Sequence, residues 1–526
     1  MKSRFIRFFL CFSALFLCFS FFGNKTETGG EFRIDYYADY QAAAPGAAEA
    51  VSTDLKDGKT EHLVGAVNSF AWGPAMLLLL MGTGVWFSVR TGFFQFRKFR
   101  HMLKITLGAF TRGKCEEQKG SITPFQALTT AMAATVGTGN IAGVSSAIII
   151  GGPGSVFWMW VSAVFGMMTK FAEVVLAVRY RERNKGEWVG GPMYYIKNGL
   201  GGGWKWLGAL FSVFGALAAF GIGNTAQVST ITSAVINAAD TFSEGGAGIY
   251  ERAAISWAVG IVIAIITGLV IFGGVKRIGR VTEKLVPFMS VLYIAGTLVI
   301  ILSNLKSFGP VFISIIESAF TPRAVIGGVS GFYFLRTVRL GVGRGIFSNE
   351  AGLGSAPIAY ASTSDLNPVR QGLYGIFEVF ADTLVICTLT AFAILMSGIS
   401  IPWGDAGVGG AVVASNAFAT IFGEKVSSLF TAFSILCFAA ASVFSWALYG
   451  QRCFGYLTGE RCLGIYKAVF ILLVVVGATQ DLALIWEAAD ALNGLMAVPN
   501  LIAILGLSGE VISLTKKYSE KSWACR

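Results

Sequence analysis

The chain has 526 residues, of which 54% are hydrophobic and only 13% charged, with a mean hydropathy of +0.65 and a formal net charge of +11. Soluble domains carry about a quarter charged residues, so this balance excludes an ordinary globular protein and points to a chain crossing a bilayer many times. The basic residues sit in short loops between apolar runs, a sign of membrane topology and not of nucleic-acid binding.

Residues 1–23, MKSRFIRFFLCFSALFLCFSFFG, join a basic start to an apolar run and read as a signal peptide or signal anchor. Residues 24–66, with QAAAPGAAEA and several acids, read as a flexible extracytoplasmic segment. The apolar body follows over 67–510, and 511–526 reads as a cytoplasmic tail. Within the body, runs long enough to cross a bilayer as helix occupy about 69–88, 127–150, 155–178, 206–236, 252–273, 284–303, 332–360, 372–397, 426–450, 464–479 and 483–507.

Charge sets their orientation. Arg90 to Lys119 follow the first run, Arg179 to Lys185 the third, Lys276, Arg277 and Arg280 the fifth, and Lys516, Lys517 and Lys521 the last. Alternate loops are poor in basic residues, so the C-terminus is expected inside and 24–66 outside. Arg336, Arg339 and Arg344 fit this badly, since they fall in the outer half of a span. Cysteines are scattered among runs, loops and tail, so no disulfide framework is expected. Two histidines, His62 and His101, leave little scope for a His-rich metal site.

Two stretches are near-copies: Asn140–Ala147 reads N-I-A-G-V-S-S-A and Asn349–Ala356 reads N-E-A-G-L-G-S-A. Each lies in a glycine-rich interruption, the first after Val136-Gly-Thr-Gly139 and the second after Gly341-Val-Gly-Arg-Gly345. By the topology above they lie on antiparallel spans. The expected fold class is therefore all-α polytopic membrane protein, an inverted five-plus-five helix repeat with one additional preceding helix. Repeat one covers about 120–305 and repeat two about 310–508. Interrupted spans in matching places point to the binding site of a secondary transporter. A broken helix offers a positive dipole end to a carboxylate and free carbonyls to a hard cation. The rival reading is that the small residues, Gly143 and Ala147 among them, only allow close helix packing.

The string FSNEAGLGSAPIAYA (347–361) resembles the signature of the alanine or glycine:cation symporter family, the sodium:alanine symporters. TTAMAATVGTGNIAGV (129–144), FAEVVLAVRYR (171–181), GGPMYYIKNGLG (190–201), GIGNTAQ (221–227) and NGLMAVPNLIAIL (493–505) are similar to other blocks of that family. The resemblance implies a leucine-transporter-type fold. It implies substrate contacts from Thr138, Gly139 and Asn140, faced by Ile346, Phe347 and Asn349, with Asn224 and Gln227 on a further helix. It also implies a sodium site of the Ala133 and Val136 carbonyls with Ser442 and Ser445. Ala441 stands where related sequences often carry a hydroxyl, which leaves H+ open as coupling ion beside Na+.

Glu173, Glu350, Glu378, Asp382, Glu487 and Asp490 lie in or near apolar runs. Each is expected to face the interior or pair with a base, first as a buried structural pair; the rival readings are an arginine partner for Glu350 and proton relay by Asp382 or Asp490. The implied function is import of a small neutral amino acid, alanine or glycine, across a bacterial inner membrane, with no enzyme activity, nucleic acid or obligatory protein partner. The alternatives are a proton-coupled carrier or exchanger, a channel and, remotely, a polytopic membrane enzyme.

Overall fold

The computed structural model describes residues 59–111, 121–243, 246–320, 329–405, 409–459, 462–480 and 483–524. The signal segment and most of 24–66 lie outside them. The described part of that segment is not irregular, because helix α1 (Lys59–Ala71) already begins there. Helix α2 (Pro74–Arg90) and the amphipathic α3 (Phe99–Thr111) follow.

Two successive sets of five long elements make up the rest. The first set is the pair α4 (Pro124–Thr135) and α5 (Ala142–Gly151), then α6 (Gly154–Arg179), then α7 (Lys205–Phe220) running through a wide turn into α8 (Ala226–Phe242), then α9 (Ile249–Ile271) and α10 (Gly274–Ser303). A connecting helix α11 (Phe308–Phe320) leads to the second set. That set begins with α12 (Val329–Asn349) and α13 (Ala356–Tyr360), followed by α14 (Pro368–Val379), which continues through Phe380–Cys387 into α15 (Thr388–Met396). After α16 (Gly410–Phe422) come α17 (Glu424–Thr458), α18 (Leu463–Thr479) and α19 (Ala483–Gly506). Each set opens on a broken helix, and α2 precedes both.

Every expected apolar run is mainly helical, 127–150 and 332–360 with a break in each. Among the described residues eight helices are long and apolar enough to span a bilayer, nine if α4 and α5 form one span. α12 misses that standard through its three arginines and α18 through its 17 residues.

α6 is the central strut, and glycines let its neighbours approach. A Cβ on Gly341 or Gly345 of α12 would lie 2.3 Å from the Ser155 carbonyl oxygen or 2.2 Å from the Ser162 hydroxyl. On the opposite side, Gly372 of α14 meets Phe171 and Gly375 meets Lys170. The run Gly341–Gly345 is thus helical and serves close packing; it is not part of the second break.

The basic loops share one end of the bundle. There α20 (Ser508–Ala524) docks instead of trailing as a tail: Glu510 accepts from Arg179 at 2.7 Å and from the Tyr180 hydroxyl, and Tyr518 contacts His101 at 3.0 Å. A hairpin of β1 (Glu182–Asn184) and β2 (Glu187–Val189) covers the same end, and Pro192–Tyr195 packs as a helical turn against it.

Candidate substrate and cation site

The first break follows from its residues. Thr123 and Gln126 cap α4 reciprocally, each backbone N–H donating to the other's side chain at 3.1 Å, with Pro124 at the first helical position. Val136 and Gly137 then leave the helical region, a single tight turn spans Thr138–Asn140, and α5 starts at 56° to α4. Asn140 Oδ1 accepts from the Gly137 N–H at 2.8 Å, which fixes the turn.

The second break lies five residues later in its string than the first. α12 runs through Asn349, and the chain reverses over Glu350–Ser355, with φ of +53° at Glu350, +95° at Gly352 and +84° at Gly354. Asn140 thus closes the first break while Asn349 ends the helix before the second, so the near-copies do not occupy equivalent places. Glu173 of α6 supports this turn: its Oε1 accepts from the N–H groups of Gly352 and Gly354, both at 3.1 Å, and from Asn500 Nδ2 at 2.6 Å.

Between the breaks lies a cavity of about 30 Å³. Its wall is backbone at Gly137 and Gly139, with Thr138, Thr135 and Ala134 beside them. Phe347, Ser348 and Glu350 face them from the second helix, and Ile222, Gln227, Trp446 and Asn493 complete the lining. Such a volume holds about two waters. An amino acid enters only after the walls part.

Of the residues implied by resemblance, Thr138, Gly139, Gln227 and Phe347 line this cavity. Thr138 donates to Gln227 Oε1 at 3.2 Å. The other four do not. Asn140 is fully buried with its amide on Asp382 (2.7 Å to Oδ1), and Asn349 bridges Thr383 and the Ala351 N–H. Asn224 donates to the Phe470 carbonyl at 2.7 Å, an interhelical tie, and Ile346 packs in the apolar layer against α6.

The cation set is partly assembled. Ser442 Oγ donates to the Ala133 carbonyl at 3.0 Å, and a Cβ on Gly137 would lie 2.7 Å from that hydroxyl. Ser445 instead reaches the Thr130 carbonyl at 2.7 Å, further down α4. Val136 is buried at the same bend. The facing atoms are hydroxyl and carbonyl oxygens, which fit a hard cation such as sodium.

Spacing marked the buried acids but missed Lys170 and the partners the acids take. Lys170, fully buried on α6, stands 3.4 Å from Glu378, which also accepts from Tyr360 at 2.8 Å. A lysine inside the apolar run MMTKFAE was the available signal. Glu350 bonds the Ser355 hydroxyl and not an arginine. Asp382 collects Asn140, Ser348 (2.9 Å) and Thr383 (2.8 Å). At the end away from the basic loops, Phe347 is capped by Trp72 at 5.9 Å and the Arg344 guanidinium at 5.7 Å. Trp72 also donates to the Asp490 carbonyl at 3.2 Å.

The profile of the sodium:alanine symporter family matches residues 57–525. The chain belongs to that family. It is 44% identical to the sodium/alanine symporter AgcS of Methanococcus maripaludis, over 87% of this chain and 97% of the relative. The probable sodium/glutamine symporter GlnT of Bacillus subtilis is 36% identical over 88% of this chain and 92% of its own. Among solved structures, MhsT in complex with L-phenylalanine matches with a TM-score of 0.50 at 14% identity, covering 76% of this chain and 99% of that one. That likeness shows a leucine-transporter-type fold. The chain is thus a multi-pass membrane protein of an amino-acid:cation symporter family.

Proposed function

We propose that this symporter imports small neutral amino acids, alanine or glycine, driven by sodium through alternating access across a bacterial inner membrane, with its C-terminus inside. The supporting observation is the cavity between the two helix breaks, walled by Gly137 and Gly139 backbone and abutting the Ser442–Ala133 oxygens.

The start of α5 supplies a positive dipole end for the substrate carboxylate, and Thr138 and Gln227 supply polar contacts. Sodium held by the Ala133 and Val136 carbonyls and Ser442 stiffens the bend that forms the carboxylate seat, so the two ligands favour each other. Trp446, Phe347 and Ile222 form an apolar part of the wall, which suits an apolar side chain such as alanine's better than a glutamine amide.

A proton-coupled carrier is the second reading, favoured by Glu350, a lining residue whose carboxylate is hydrogen-bonded by the Ser355 hydroxyl. Proteoliposome uptake of labelled alanine separates them. Accumulation under an inward sodium gradient, blocked by excess glycine but not glutamine, is expected. Accumulation under a proton gradient alone would transfer the coupling to the second reading.

A further inference from the structure

At the basic end, α9, α10 and α17 enclose a second space, a groove of about 1410 Å³ whose floor reaches Gln126 at the start of α4. Its rim is cationic. Lys276, Arg280 and Lys284 recur every four residues, so they form one stripe on α10. Like charges at that spacing repel and call for an anion. The acid in the same stretch, Glu283, is already engaged by Gln126 Nε2 at 2.9 Å, and Arg277 is turned to the Leu269 carbonyl at 2.7 Å. The wall is apolar and open to the outside of the bundle, with Ile266 41% and Phe288 54% exposed and Phe444 behind them.

A soluble anion would satisfy the rim and leave the wall bare. A neutral lipid would do the reverse. We propose that the groove binds one anionic phospholipid, its phosphate on Lys276, Arg280 and Lys284 and its acyl chains along Ile266, Phe288 and Phe444. The occupant then touches α4, which leads into the first break, and α17, which carries Ser442. Bilayer composition thereby reaches the helices around the candidate site.

The test is native mass spectrometry of the full chain in mild detergent, loaded with phosphatidylglycerol or phosphatidylcholine. It reads binding and not transport, so it stands apart from the proposed substrate and ion. The wild type is expected to retain one phosphatidylglycerol in preference to phosphatidylcholine. K276Q/R280Q/K284Q is expected to bind it more weakly, by about fivefold for each cation removed. Phe288→Ser should weaken retention with the rim intact. Undiminished retention by the triple variant, an equal loss in the control K516Q/K517Q, or displacement by inorganic phosphate would overturn the assignment.

Discussion

Asn140 is gripped from two sides: its oxygen holds the Gly137 N–H and its amide nitrogen holds Asp382. The same carboxylate takes the hydroxyl of Ser348 on the second broken helix. Asp382 therefore positions both walls of the cavity without lining it. Asp382→Ala removes the carboxylate acceptor of Asn140, Ser348 and Thr383, leaving Asn140 the residue-382 carbonyl and the Cys387 sulfur and Ser348 that sulfur alone, a loss of about 1–3 kcal/mol or more in all. Uptake should fall about tenfold or more, with a lowered Tm in detergent and normal membrane insertion; unchanged uptake would show that the breaks hold themselves. Lys170 and Glu378 form a fully buried pair. Lys170→Met should cost about 3–5 kcal/mol by stranding the carboxylate, and Lys170→Met with Glu378→Gln should recover most of it. A thermal-shift series checks this. Two singles that add in the double would refute the coupling.

Elements at the basic end strap the two broken helices together. The Ile122 N–H donates to the Ser362 carbonyl at 3.1 Å, and the Ser364 N–H donates back to Ile122 at 2.8 Å. Arg181 secures the strap from the end of α6, donating to the carbonyls of Ala361 (3.1 Å), Thr363 (2.6 Å) and Asp365 (2.9 Å) while stacking on Trp188 of the hairpin. Arg181→Ala should loosen this closure. The readout is thiol labelling of Thr135→Cys from the basic side, expected to rise several-fold; unaltered labelling would mean the strap does not govern access.

Sequence and fold part company at this scale for stated reasons. The helices were legible because hydrocarbon demands long apolar runs, and the first break because Gly137 and Gly139 interrupt one. The second break falls within its string, at Glu350–Ser355, while the glycines before it, Gly341 and Gly345, serve α6 as a close-packing face. The near-copied string, N-x-A-G-x-x-S-A, marked both regions yet sits differently in each. Asn140 and Asn349 were sought in the cavity, but polar residues beside a break are spent first on its own freed backbone and on neighbours such as Asp382. Lys170 and Asp382 join through partners more than thirty residues away, which no local spacing announces.

Over the whole molecule, the space between the breaks is small, with Phe347 of its wall packed under Trp72 and Arg344 on one side and the strap joining the broken helices at the basic end. A space of about 30 Å³ between the breaks, room for about two waters, is a contracted site. Alternating access requires each side to yield in turn while the breaks stay together. The most direct test is sodium-driven alanine accumulation in proteoliposomes, measured side by side for the wild type and Gly139→Val. The Gly139 Cβ position faces Phe347 at 3.9 Å, so valine fills the cavity with little disturbance of the fold. The wild type should accumulate alanine only with an inward sodium gradient, and Gly139→Val should insert normally and lose at least about tenfold of that flux. Sodium-indifferent uptake by the wild type, or full uptake by Gly139→Val, would contradict a sodium-coupled site between the two breaks.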